Sequence, residues 1–192
     1  MYSFLMLAYS TLASATTYFL TAFSPGTGVH GALINAVNQG FYTGTSGPAT
    51  YCPSDVKSCP QVQGSLVYDG LTGLAVAVPG GQKIYVTPTG QVAFTHAHSN
   101  YIPPGSFTSG WFNKTVLSAC DPPQDVLDFL STDGSNIGGV KLCEDNEDDT
   151  ISIGASYRLY ATTKGFNVSD CVDVVGLTLH GVAFDVGAWQ YV

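Results

Sequence analysis

Apolar residues fall along this chain in short runs, separated by residues that favour turns. The runs Tyr18–Phe23, Gly31–Val37, Ser65–Tyr68, Leu74–Val78, Lys83–Thr87, Val92–Thr95, Val116–Ala119, Tyr157–Ala161 and Cys171–Leu179 predict strands. Between them lie SPGTG, NQG, DGLTG, PGG, PTG and IPPGS, where glycine supplies positive φ or proline fixes it. From Ser65 to His98 the spacing predicts a meander of four strands. Pro122–Ser131 resembles a helical turn, with Val126, Leu127 and Leu130 spaced for one face, but it is too short to set the fold class. Ser131–Thr150, rich in Gly and Asp, reads as the least ordered stretch. The pattern predicts an all-β chain: one antiparallel β domain, a sandwich or a closed barrel, with a β-trefoil as the alternative.

Composition points the same way. The charged fraction is 10%, no charged residue precedes Asp55, and Glu144 and Glu147 are the only glutamates. Helix surfaces normally carry Glu, Lys and Arg, so this balance favours strands and turns. The net charge of −8 argues against nucleic acid, because six scattered basic residues form no stripe able to neutralise phosphates. It also disfavours anionic membranes.

The first residues, MYSFLMLAYSTLASA, are apolar through Phe4–Tyr9 and end in Ala13-Ser14-Ala15. This is the pattern of a secretory signal peptide over residues 1–15, with a single mature domain over 16–192. The C-terminal LTLHGVAFDVGAWQYV contains Asp185 and lacks a lipid-anchor tail, so no membrane anchor is expected. The expected location is extracellular, in the medium or the cell wall.

Five cysteines then face an oxidising compartment. Cys52 and Cys59 enclose a short polar loop suited to a local bridge. Cys120 and Cys171 are the expected long-range pair. That leaves Cys143 odd, with a bridge from Cys143 to Cys120 or to Cys171 as the alternatives. Two sequons, Asn113-Lys-Thr and Asn167-Val-Ser, mark Asn113 and Asn167 as glycosylation sites.

Candidate chemistry is sparse. On a strand, His96 and His98 would share a face suited to a metal, yet no third ligand follows at a recognisable spacing. Glu144, Asp145, Glu147, Asp148 and Asp149 crowd one stretch without the alternating pattern that wraps calcium, and read as a solvated loop. No GxSxG elbow, HExxH helix or CxxC pair occurs. No metal, cofactor or catalytic residue is therefore expected. The aromatics Tyr42, Tyr51, Tyr68, Tyr85, Tyr101, Trp111, Trp189 and Tyr191 read mostly as core and cross-strand pairs, with a sugar-stacking platform as the functional alternative.

GLAVAVPGGQKIYVTPTGQVAFTHAHSNYIPPGS (Gly73–Ser106), Leu117–Cys120, Asn167–Cys171 and the closing Ala188–Tyr191 resemble secreted fungal IgE-binding proteins of the phialide cell-wall type. More distantly the chain is similar to the C-terminal domain of PIR cell-wall mannoproteins. The resemblance implies a secreted or wall-associated β-rich glycoprotein, antigenic, without established catalysis, and host immunoglobulin as a partner. The repeat through which PIR proteins are esterified to glucan is absent.

Three functional expectations follow: a non-enzymatic secreted or wall-associated glycoprotein; a carbohydrate-binding module for wall polysaccharide; and a small secreted hydrolase using an Asp pair.

Overall fold

The computed structural model describes residues 17–117, 122–145 and 152–192, so the expected signal peptide lies outside the described residues. Early in the chain run β1 (Thr17–Phe23), β2 (Leu33–Val37), β3 (Gly40–Thr45), β4 (Thr50–Tyr51) and β5 (Val67–Tyr68). After a 3-10 turn at Asp69–Leu71 come β6 (Gly73–Leu74), β7 (Gln82–Val86), β8 (Val92–Phe94) and β9 (Trp111–Val116). The remainder are β10 (Gln124–Phe129), β11 (Val140–Glu144), β12 (Ser152–Ala161), β13 (Cys171–Val174), β14 (Gly176–Val182) and β15 (Gln190–Tyr191). The chain is all-β, as the run lengths predict.

Thirteen strands form one antiparallel sheet, ordered β13-β11-β12-β3-β8-β7-β6-β5-β1-β14-β10-β9. β2 pairs with both β1 and β3, so the path closes into a ring, β1-β2-β3-β8-β7-β6-β5. Of the expected arrangements the ring matches the closed barrel, and its strand order has no threefold repeat. β15 pairs separately with β4.

Alternation decides what is inside. Ile84 and Val86 of β7, Val92 and Phe94 of β8, Phe41 of β3, Val140 and Leu142 of β11, and Leu159 and Ala161 of β12 all face the core. Each large side chain so buried contributes about 1.5–3 kcal/mol. Phe41 and Phe94 meet edge to face at 5.7 Å.

Several expectations are corrected. Pro122–Ser131 is not a helical turn: Gln124–Phe129 is a strand between β9 and β14. Both faces of its second half are covered, so the consecutive residues Val126 to Phe129 are buried and the apolar spacing mimics a helix. The stretch read as least ordered contains β11. Cys171–Leu179 is two strands broken at Val175, whose N–H donates to the Phe23 carbonyl at 2.9 Å. Instead of Val116–Ala119, the strand there is β9, ending at Val116; residues 118 and 119 lie outside the described residues.

The cysteine pairing is corrected as well. Cys52 bridges Cys59, but Cys171 bridges Cys143 rather than Cys120. The register places Cys143 directly opposite Cys171 where β11 pairs with β13. Register is a long-range property that spacing along the chain does not reveal. Cys120 lies outside the described residues.

Candidate functional site

A concavity of about 820 Å³ opens where the end of β3 turns back toward β4. Its floor is the start of β2, with Leu33 and Asn35. One wall is Gly44–Pro48 with Thr50; the opposite wall is Gln61–Gly64, the chain leaving the Cys52–Cys59 loop. The first wall is held by backbone bonds: Ala49 N–H donates to Ala36 O at 3.0 Å, and Val192 N–H to Ala49 O at 3.0 Å. The short disulfide restrains the segment that leads into the second.

Asn35 is 2% exposed. Its Nδ2 donates to Thr45 Oγ1 at 3.1 Å, which orients that hydroxyl at the groove, while its Oδ1 is buried with no hydrogen-bond partner. Gln61, Gln63, Ser46 and Thr50 line the groove as exposed residues. The lining thus offers three amides and three hydroxyls, with no charged or aromatic side chain. Beside it stands a stacked pair, Phe19 on His180, with centroids 4.7 Å apart. A Cβ at Gly64 would lie 3.7 Å from Phe19 Cβ, so β1 passes beside Gly64. Thr21 Oγ1 lies 2.8 Å from His180 Nε2 and fixes the ring.

The residues singled out by sequence scatter. β8 ends at Phe94, so His96 and His98 sit in an exposed turn rather than on one strand face. His98 has φ +60°, and His96 Nδ1 meets Gln39 Nε2 at 3.1 Å. Among the described residues no group of three metal-ligating side chains assembles. Glu144 closes β11, while Glu147, Asp148 and Asp149 lie outside the described residues.

The aromatics do not form one platform. Tyr42 (5%) and Tyr191 (1%) are buried, whereas Tyr51 and Tyr101 are 52% and 70% exposed. Arg158 covers Tyr42 and Tyr160, 5.4 and 6.0 Å from their centroids. Burial pushes the Tyr42 phenol up, and the Arg158 charge pulls against it. Burial likewise raises Tyr85, with Tyr101 adding to the shift.

Asn113 and Asn167 are both exposed. Asn113 borders a second depression, of about 560 Å³, which also holds Tyr18, Asp69, Asp125 and Leu179. Its carboxylates are engaged within the chain. Asp125 Oδ1 accepts from Thr115 Oγ1 at 2.6 Å and Asp69 Oδ1 from Gly70 N–H at 2.9 Å.

The groove was not foreseen. Its residues, TSGPAT and QVQG, are uncharged and lie between the predicted strands. Among the described residues no helix is long and apolar enough to cross a membrane.

No protein-family model matches the chain, and no solved structure matches it. An uncharacterized secreted protein of Arthroderma benhamiae is 33% identical over 159 residues, covering 82% of this chain and 76% of that protein.

Proposed function

This chain belongs to the family of that secreted fungal protein, and from this premise we propose a secreted, non-catalytic protein that holds neutral wall polysaccharide in its groove. The observation that carries the reading is the lining: three amides and three hydroxyls without a charge. Neutral sugars present hydroxyls that both donate and accept, and amides answer both roles. A charged wall would demand a charged ligand or pay desolvation for nothing. The chain's net charge of −8 does not repel a neutral polymer.

Gly47, where no atom lies within 4 Å of a Cβ position, leaves room for a sugar ring to approach the backbone. Two disulfides suit an oxidising exterior. A repeating polymer raises retention by offering many sites. The antigenic property implied by the resemblance concerns a host's antibodies, which is separate from this work at the wall.

The test is co-sedimentation of the secreted protein with insoluble β-glucan, mannan and chitin. Retention by at least one polymer, reduced in a Gln61→Ala/Gln63→Ala variant that melts like the parent, is expected. Recovery of all protein in the supernatant with every polymer would sink the reading.

A further inference from the structure

The sheet path has two open ends, and they differ. β13 is four residues long, and its outer side is already engaged where Ser24 Oγ donates to the Asp173 carbonyl at 2.8 Å. At the other end β9 is six residues, paired without a bulge to β10 from Trp111↔Phe129 to Val116↔Gln124. Among the described residues it pairs with no other strand. A regular edge of this length is a template for a second chain.

It carries one guard, Lys114, whose charge is neutralised by Asp128, and it holds no proline. Phe112 is 41% exposed, and Leu117, just past the strand, 78%. In the middle sits Asn113 of the Asn113-Lys114-Thr115 sequon, exposed, beside the second depression. The depression joins an apolar floor, Tyr18 and Leu179, to carboxylate acceptors, Asp69 and Asp125. That combination suits an N-acetylhexosamine, whose ring face is apolar and whose hydroxyls and amide N–H donate.

We propose that Asn113 carries an N-linked glycan whose first sugars lie in this depression and shield the β9 edge from pairing with a second copy of the chain. The inference rests on the secreted reading above and not on the groove. Modification joins the Asn113 side-chain nitrogen to the anomeric carbon of a lipid-linked oligosaccharide, with the lipid diphosphate leaving and the amide proton lost.

The test starts from the full chain expressed in a fungal secretory host. Failure to reach the medium would contradict the secreted reading. If the protein is secreted, peptide mapping is expected to find Asn113 occupied; an unmodified Asn113 peptide overturns the inference. Light scattering after size exclusion then compares three samples. The glycosylated protein should be monomeric, whereas Asn113→Gln should rise with concentration to twice the monomer mass or more. Folded parent protein stripped of all sugar, by secretion from a host whose N-glycosylation is blocked, should do the same, and it decides the matter where the variant fails to fold. Adding Phe112→Lys to Asn113→Gln should restore the monomer by placing charge on the edge. A stripped protein that stays monomeric at every concentration overturns the shielding role.

Discussion

Gln82 grips the peptide of Tyr191 from both sides. The Tyr191 N–H donates to Gln82 Oε1 at 2.8 Å, and Gln82 Nε2 donates to the Tyr191 carbonyl at 2.9 Å. On the side away from β4 the side chain thus stands in for a second strand, at 2% and 1% exposure of the two residues. Tyr191 Oη in turn accepts from Leu66 N–H at 2.9 Å, tying β15 to the chain just ahead of β5.

Gln82→Leu keeps the volume but leaves the Tyr191 N–H and carbonyl buried and unpaired. Each orphaned group costs about 1–3 kcal/mol, so a loss of about 2–6 kcal/mol is expected in urea denaturation. For a domain of this size that lowers Tm by roughly 5–15 °C. A loss under about 1 kcal/mol would show that the clamp is replaceable by water.

Alkaline pH should weaken the fold through the same residue. Burial pushes the Tyr191 phenol up to about 12, against the smaller lowering by the Leu66 N–H. In the unfolded chain tyrosine ionises near 10. The stabilisation is fully present below about pH 10, and it is lost as pH rises toward about 12, because the unfolded state releases the proton first. The full loss is about 2–3 kcal/mol. Tyr42 and Tyr85 are raised too and act in the same direction. Denaturation midpoints at pH 9 and 11, with tyrosinate absorbance, check this. Equal midpoints would contradict it.

The two disulfides should differ in weight. Cys143–Cys171 spans 28 residues and Cys52–Cys59 spans 7. In the chain-entropy model these contribute about 3–4 and about 2 kcal/mol. Removing the pair Cys143 and Cys171 by serine should therefore lower Tm more than removing Cys52 and Cys59. EDTA should leave both values unchanged. A larger drop from removing Cys52 and Cys59 would overturn the ranking.

The meander from Ser65 onward was legible because its turns carry their own mechanism: PGG and PTG punctuate β7 and β8 within a residue or two. Edge and covered strands were harder. β9 reads WFNKTV, with polar residues on both faces, and so shows no alternation. In β10, Val126 and Leu127 are adjacent and both buried, which erases the two-residue period. The Cys143–Cys171 bridge depends on the register of β11 with β13, and the groove on two connections meeting over β2. Both are products of tertiary pairing, and no local motif encodes them.

Gly90, in the PTG turn, has φ +90°, and a Cβ there would stand 2.4 Å from the Ala161 carbonyl oxygen. That carbonyl cannot retreat freely, since the Ala161 N–H donates to Gly90 O at 2.8 Å. Gly90→Ala combines backbone strain with this clash and should cost more than about 1–3 kcal/mol. Thermal melting of the purified variant checks it; a Tm within a degree or two of the parent would contradict the turn's role.

The groove is tested most directly by a nuclear magnetic resonance titration of isotope-labelled protein with soluble β-glucan, mannan and chitin oligosaccharides. The expected result is saturable shifts with one of them, concentrated in the side-chain amides of Asn35, Gln61 and Gln63 and the backbone of Gly64. The Gln61→Ala/Gln63→Ala variant should bind that oligosaccharide at least tenfold more weakly. Contradiction would be the absence of saturable shifts with all three, or shifts that cluster away from the groove and survive the double substitution.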